Sequence, residues 1–230
     1  KKLRLVLDLG IVSELIEQHF YFTTFDLVSG YHHVDIYPPH QKFLGFGWTF
    51  PNGVTRYFVF LVLCFGLSSA CYLFSKLLRP LTAKWRSQGF RVVFYLDDAI
   101  NMANSYDACQ KSTQVIIRDL NSSGLVLNAA KSVLEPQKVG EWLGTLIDTR
   151  DMSFSIPKRK INSLIEGINE IVLSRNASGR ELARIAGKLQ SMYLSLGPLV
   201  RLMTRNTYTD IETHSDWDTK LPPRMVVCRS

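Results

Sequence analysis

Cysteine is scarce: the 230 residues hold only Cys64, Cys71, Cys109 and Cys228, with no C-x-x-C pair among them. That spacing excludes a zinc ribbon and argues against a disulfide framework, so reduced thiols in an intracellular protein are expected. Low-complexity tracts and internal repeats are also missing, which excludes solenoid, collagenous and disordered classes. No secretory leader is expected, because Asp8 breaks the apolar run of KKLRLVLDLG and no small-residue cleavage site follows. The first residue is lysine, not methionine, and a piece of a longer protein is therefore expected. One run, YFVFLVLCFGLSSACYLFS from Tyr57 to Ser75, is long enough to cross a membrane. Its centre, FGLSS, instead reads as the end of a buried strand and the cap of a buried helix, so no membrane partner is expected.

Acidic residues are missing from one long stretch. None occurs between Asp35 and Asp97, where Lys42, Arg56, Lys76, Arg79, Lys84, Arg86 and Arg91 all lie. A second basic stretch, Lys158 to Arg205, has only Glu166, Glu170 and Glu181 to offset its cations. With a net charge of +7, two basic blocks around an acidic centre suit a polyanion led past a metal site, although solvated faces would carry the same charges. Hydrophobic residues at 46% and charged ones at 20% describe a globular chain with a real core.

Periodicity orders the elements. KLRLVLDL reads as a strand, IVSELIEQ as a short helix or turn, and Phe20–Leu27 as a strand that delivers Asp26. KFLGFGW and TRYFVFLVL flank the turn sequence Phe50-Pro51-Asn52-Gly53 and form a hairpin. Ser68 or Ser69 is expected to cap a helix from Ala70 to Gln88 that Gly89 closes. RVVFY and AINMA bracket Asp97-Asp98, and Asp107 caps a helix that ends at Gly124. Strands follow at 124–127, 139–148 and 152–156. Beyond Pro157 two apolar stripes recur at helical spacing, one through Ile161, Leu164, Ile165, Ile168, Ile171 and Val172. The other runs through Leu182, Ile185, Ala186, Leu189, Tyr193 and Leu196. A boundary at 152–157 separates an α+β part from a helical one.

The centre of interest is FYLDDAI, which sets Asp97 and Asp98 side by side. Neighbouring strand residues face opposite ways, so the two share a site only in a turn. Held close, they repel, and one takes up a proton unless a cation intervenes. If their hairpin pairs with the strand that ends at Asp26, three carboxylates meet at one edge. Oxygen-only donors suit Mg²⁺, and a pair of such ions supports in-line phosphoryl displacement. A solvated Asp-Asp turn is the plain alternative.

The surrounding motifs resemble the reverse transcriptases, most closely those of long-terminal-repeat and DIRS-type retrotransposons. FDLVSGYHHVDI is similar to motif A, VLCFGLSSACYLFSKLL to motif B, YLDD to motif C, LNAAKS to motif D and EWLGTLID to motif E, in that order. The resemblance implies an RNA-directed DNA polymerase domain that extends a primer 3′-OH with dNTPs. Its fold would be α+β, a right-hand polymerase with partial fingers (1–19 and 34–68), a ferredoxin-like palm (20–33 and 69–152) and a helical thumb (153–210). Residues 211–230 stay unassigned.

It also implies the site. Asp26, Asp97 and Asp98, with the Leu27 carbonyl, would hold two Mg²⁺ ions, for which Mn²⁺ can substitute. Lys131 would be the general acid, and Ser29, Gly30 and Arg4 would meet the dNTP triphosphate. Tyr31 would exclude a 2′-hydroxyl, Phe65 and Gly66 would line the nucleotide pocket, and Trp142, Leu143 and Gly144 would grip the primer. His32 and His33 are read as motif A scaffold. Partners would be an RNA or DNA template with primer, as an RNA–DNA hybrid, and dNTP. The pattern departs at Gly10 and Ser13, where the family has arginine and asparagine, and at Cys64 and Cys71, where it has proline. Those departures keep a second reading open, a non-catalytic remnant that folds and binds nucleic acid.

Overall fold

A computed structural model describes residues 10–213 and 216–221. The first expected strand, Arg4, most of LPPRMVVCRS and Cys228 lie outside those residues. The chain divides into two compact units, His19–Lys138 and Lys1–Gln18 with Val139–Ser230. Residues 10–15 form α1 of the latter unit.

His19–Lys138 contains β1 (Tyr21–Asp26), a 3₁₀ turn (Gly30–His33), α2 (Pro38–Gln41), β2 (Gly45–Thr49), β3 (Thr55–Val59) and α3 (Ala70–Ser87). After these come β4 (Arg91–Tyr95), β5 (Asp98–Ala103), α4 (Tyr106–Ser122) and β6 (Val133–Gln137). One antiparallel sheet has the order β4-β5-β1-β6. With α3 and α4 as the two crossovers, this is the expected β-α-β-β-α-β arrangement. Phe25, Leu27, Phe74, Leu78, Trp85, Ile116 and Leu120 form its core. Each large side chain buried there contributes about 1.5–3 kcal/mol.

Both long helices end as glycine dictates. At Gly89 (φ +83°) the Phe90 N–H reaches the Trp85 carbonyl and the Gly89 N–H that of Arg86. Gly124 (φ +76°) repeats the motif with Leu125 and Leu120. Ser69 holds the N-cap position of α3 as expected but makes no side-chain cap bond, whereas α4 is capped by Ser105, whose hydroxyl accepts the Ala108 N–H, and Asp107, the expected cap, lies in its first turn.

Residues 124–127 form no strand, only the isolated bridge Leu27↔Leu127. The fourth strand is β6, where none was expected and within which Pro136 lies. An outermost strand tolerates proline, whose missing N–H then breaks no internal ladder. In the Tyr57–Ser75 run the strand half differs from expectation, since all five residues of β3 are exposed, while α3 begins at Ala70 as expected. Among the described residues no helix is long and apolar enough to cross a membrane.

The other unit holds a meander of β7 (Val139–Trp142), β8 (Thr145–Asp148) and β9 (Ser153–Ser155). It continues with α5 (Lys158–Ser174), β10 (Ala177–Ser178), α6 (Gly179–Gln190), α7 (Tyr193–Leu196), α8 (Leu199–Thr213) and β11 (Lys220–Leu221). The units therefore part at Lys138/Val139, earlier than the expected 152–157, because the meander pairs only within itself. A capping box between Ser178 and Glu181 starts α6, and its stripe Leu182, Ile185, Ala186 and Leu189 is buried. The α5 stripe is a correction. Leu164 joins the cluster with Ile185, Leu189, Met192 and Val200, but Ile161, Ile165, Ile168 and Val172 are exposed.

Candidate active site

Hydrogen-bond register brings the aspartates together. Asp98 is the cross-strand partner of both Tyr95 on β4 and Asp26 on β1, which leaves Leu96 and Asp97 as a two-residue turn. Directly opposed residues project to the same sheet face, so Asp26 and Asp98 form a like-charge pair. The turn frees Asp97 from strand alternation, and its carbonyl accepts the Leu27 N–H at 2.9 Å. Leu96 adopts φ +56° and Ser29 φ +48°. Positive φ costs a residue with a Cβ about 1–2 kcal/mol, and strain of this kind collects at functional sites.

Asp97 approaches the 3₁₀ turn so closely that a Cβ on Gly30 would lie 2.6 Å from its Oδ1 and 2.7 Å from Cζ of Phe74. Only glycine fits. That Oδ1 is buried with no hydrogen-bond partner. Burial raises the Asp97 carboxyl above its ordinary range, and the Asp26 charge adds to this, while His33 and Lys131 oppose it. Asp98 is pushed up to about 6 by burial first, then by Asp26 and Asp97. A cation at this edge would relieve both causes. Gly30→Ala is expected to displace the Asp97 carboxylate and to cost ~1–3 kcal/mol through overpacking. Urea unfolding checks this; an unchanged midpoint would mean that Asp97 and Phe74 can shift at no cost.

Lys131 is brought in by the LNAAKS turn. Asn128 N–H donates to the Asp26 carbonyl at 2.8 Å, and Asp26 N–H donates to Ser132 Oγ at 3.0 Å. Lys131 Nζ then lies 3.9 Å from Asp26 Oδ2, with its side chain 69% exposed. Ser132 was not singled out in the sequence, although it directly follows the motif lysine. His33 is a tie. Its Nε2 accepts the Val126 N–H at 3.2 Å, so Nδ1 carries the proton and donates to the Gly30 carbonyl at 3.2 Å.

Tyr31 is buried, its ring 5.0 Å from Phe65 and 5.4 Å edge-on from Phe74. Its hydroxyl shares a 3.0 Å hydrogen bond with the Cys71 thiol, and burial pushes its acidity well below that of a free phenol. Phe65 is 67% exposed, and Gly66 (φ +90°) faces open space. The Leu27 carbonyl is used by none of the bonds that hold Asp26, Val28 and Asn128.

Trp142, Leu143 and Gly144 belong to the other unit. Leu143 (φ +47°) and Gly144 (φ +71°) are the paired positive-φ turn of the β7–β8 hairpin. Trp142 is buried with an unpartnered Nε1. Lys160 packs on Gly144, where burial lowers its ammonium below the ordinary lysine range, and Arg159 pairs with Glu141.

Among the described residues no three carboxylate, histidine or cysteine side chains already converge as a closed metal cage. The donors nonetheless fit Mg²⁺, which takes one or two carboxylates and completes its octahedron with water and phosphate oxygens. The unpartnered Asp97 Oδ1 beside two more carboxylates is such a partial set.

Residues 2–147 match the family description Reverse transcriptase (RNA-dependent DNA polymerase). The chain is 27% identical over 208 residues to the retrovirus-related Pol polyprotein from transposon opus of Drosophila melanogaster, covering 88% of this chain and 19% of that one. It is 27% identical over 141 residues to the Gag-Pol polyprotein of gibbon ape leukemia virus, covering 60% and 8% respectively. The chain thus spans about a fifth or less of these relatives. Among solved structures, the foamy viral protease–reverse transcriptase in complex with RNA/DNA hybrid superposes with a TM-score of 0.68 at 18% identity, covering 90% of this chain and 26% of that one. The same enzyme with dsDNA gives 0.63 at 21%, covering 90% and 39%. The family match runs over residues 2–147, more than half of the chain, and gives the family directly: this chain belongs to the reverse transcriptases, the RNA-dependent DNA polymerases.

Proposed function

We propose that the chain is the polymerase segment of a long-terminal-repeat or DIRS-type retroelement polyprotein, extending a primer 3′-OH with dNTPs on an RNA or DNA template. One observation carries this reading: Asp26 and Asp98 are cross-strand partners, with Asp97 in the turn between β4 and β5 and its carboxylate against Gly30. Asp26, Asp97, Asp98 and the Leu27 carbonyl would hold two Mg²⁺ ions, or Mn²⁺ in their place. Bound there, the ions would favour the 3′-alkoxide and neutralise triphosphate charge.

The rest falls to the chain's own groups. The first N–H groups of a helical turn have no partner within it, which leaves the amides of Ser29 and Gly30 for phosphate oxygens. Tyr31 would stand under the sugar and exclude a 2′-hydroxyl, with Phe65 and Gly66 as the adjoining wall. Lys131, exposed and near Asp26, would protonate the leaving pyrophosphate as a general acid. The motif resemblance gives Trp142, Leu143 and Gly144 the primer end and Arg4 the triphosphate. In this reading 20–33 and 69–152 are palm, 1–19 and 34–68 fingers, and 153–210 thumb. Basic faces would hold the hybrid by its phosphates without reading sequence.

The remnant reading loses ground at Cys71. That departure from the family's proline is not a bare loss, because its thiol bonds the Tyr31 hydroxyl. Primer extension on poly(rA)·oligo(dT) with dTTP decides between the two readings. Extension that needs Mg²⁺ or Mn²⁺ and disappears with Asp97→Asn is the expected result. A folded chain that binds the hybrid and adds no nucleotide, even with preceding fingers residues restored, would leave only the remnant.

A further inference from the structure

The Tyr31 ring is enclosed from three directions. Phe74 meets it edge-on, Phe65 lies tilted across it, and Cys71 holds its hydroxyl at 3.0 Å. Two of these, Cys71 and Phe74, are one helical turn apart on α3, so one face of the helix supports the ring. Gly30, directly before Tyr31, is clamped by the Asp97 carboxylate and the same Phe74 ring. The backbone beneath the tyrosine is thus fixed by the metal-ligand turn, and the far end of its side chain by Cys71. A tyrosine ring hinges about its Cα–Cβ bond, so a tether at the hydroxyl is the most effective restraint on its tilt. The polypeptide around Cys71 is itself held, since Ser75 Oγ donates to the Cys71 carbonyl at 2.7 Å.

We infer that Cys71 is a specificity-determining positioning residue: through its hydrogen bond to Tyr31 it sets the height of the wall under the nucleotide sugar, and so the discrimination between deoxyribo- and ribonucleotides. This deepens the proposed polymerase function and rests on the reading of Tyr31 as that wall. Proline at position 71 would have no polar group to offer the hydroxyl, and alanine would have none either. Serine keeps a donor and an acceptor on a slightly shorter arm. A net hydrogen bond is worth about 0.5–1.5 kcal/mol, equivalent to roughly a two- to twelvefold change in an equilibrium.

The test uses a primer ended by a dideoxynucleotide, so no turnover is needed. With Mg²⁺ present, ternary-complex formation is titrated with dGTP and with GTP opposite template C, for wild type, Cys71→Ala, Cys71→Pro, Cys71→Ser, Tyr31→Phe and Tyr31→Ala. The expected result is a dGTP:GTP preference about two- to tenfold lower in Cys71→Ala, Cys71→Pro and Tyr31→Phe. Cys71→Ser should restore most of it, and Tyr31→Phe/Cys71→Ala should be no worse than either single change. Tyr31→Ala should lose more than any of these. A preference unmoved in Cys71→Ala while Tyr31→Ala loses it overturns the role of Cys71 and leaves the wall intact. A preference unmoved in Tyr31→Ala removes the wall and this inference with it. Failure of the folded wild type to form a ternary complex overturns the polymerase reading and the discrimination role together. Independently of nucleotide, the S–H stretching band of Cys71, isolated by subtracting the Cys71→Ser infrared spectrum, should shift in Tyr31→Phe. An unshifted band means that the thiol does not donate to the Tyr31 hydroxyl, and together with an unmoved preference in Cys71→Ala it overturns the tether.

Discussion

Asp97→Asn is expected to lower primer extension by at least about a hundredfold and, in the same molecule, to make the metal-free fold more stable. The two effects have one origin. Asp97 Oδ1 is buried without a partner, Asp26 faces Asp98 across the strands, and burial raises both Asp97 and Asp98. An amide of nearly the same shape removes one charge from this crowd. In the proposed reaction it would also remove an anionic metal ligand, and ~3 kcal/mol of lost charge stabilisation in the transition state is a factor of more than 10² in rate. The stability gain should be about 1 kcal/mol, since the turn is partly exposed and solvent screens the repulsion. The sign with pH follows from the raised carboxyls. They bind protons more tightly folded than unfolded, so in EDTA they favour the fold most at low pH, and that favour is lost as pH rises from near 4 to about 6, where Asp98 titrates. Urea midpoints in EDTA at pH 4.5 and 7, for wild type and Asp97→Asn, check this. A variant less stable than wild type at pH 7 would mean that the turn carboxylate is satisfied by a contact absent from this structure.

Much of this site could be read from one dimension. Five short motifs in order implied the sheet that joins Asp26 to Asp97-Asp98, and the register does so with Asp98 opposite Asp26. Gly89 and Gly124 marked helix ends because positive φ leaves few residues to choose from. What escaped the sequence depends on three-dimensional neighbours. β6 carries Pro136, which counts against a strand until its outer position in the sheet is known. The α5 stripe has helical spacing, yet spacing alone says nothing of what covers it, and Ile161, Ile165, Ile168 and Val172 are exposed. Cys71 looked like a loss relative to proline, and its bond to Tyr31 joins positions 40 residues apart. Ser132 and His33 act through side-chain hydrogen bonds to backbone, contacts that no periodicity announces.

Trp85→Ala is expected to remove at least about 4 kcal/mol from the stability of the His19–Lys138 unit. Trp85 is fully buried on α3, stacks on Phe94 at 5.8 Å, and shares the core with Phe25, Leu27, Ile116 and Leu120. Truncating a buried tryptophan to alanine costs about 3–5 kcal/mol from transfer and cavity alone. Its Nε1–H also donates to Asp119 Oδ2 at 2.9 Å, where Lys84 Nζ donates at 2.8 Å. Those bonds, that of Lys84 foremost, hold the buried Asp119 carboxyl below its ordinary range against the opposing effect of burial. Losing the indole donor leaves part of a buried carboxylate unpaired, a further ~1–3 kcal/mol. Trp85→Phe separates the terms: it keeps most of the volume and the stack on Phe94, loses the donor, and should cost ~1.5–3 kcal/mol. Asp119 has a depressed pKa, so its contribution is present above about pH 4 and is lost as pH falls further. That acid-side loss should shrink in Trp85→Phe. Urea titrations followed by far-ultraviolet circular dichroism measure all of this without relying on tryptophan emission. A Trp85→Phe variant within 0.5 kcal/mol of wild type would show that the Asp119 bond adds nothing beyond what water supplies. The same helix bears Cys71 and Phe74 behind Tyr31, so extension by Trp85→Ala should fall with its folded fraction and recover where the variant is folded. Trp85→Phe, folded at 25 °C, should keep its nucleotide preference, because its packing lies about three turns of α3 from the ring it helps to place.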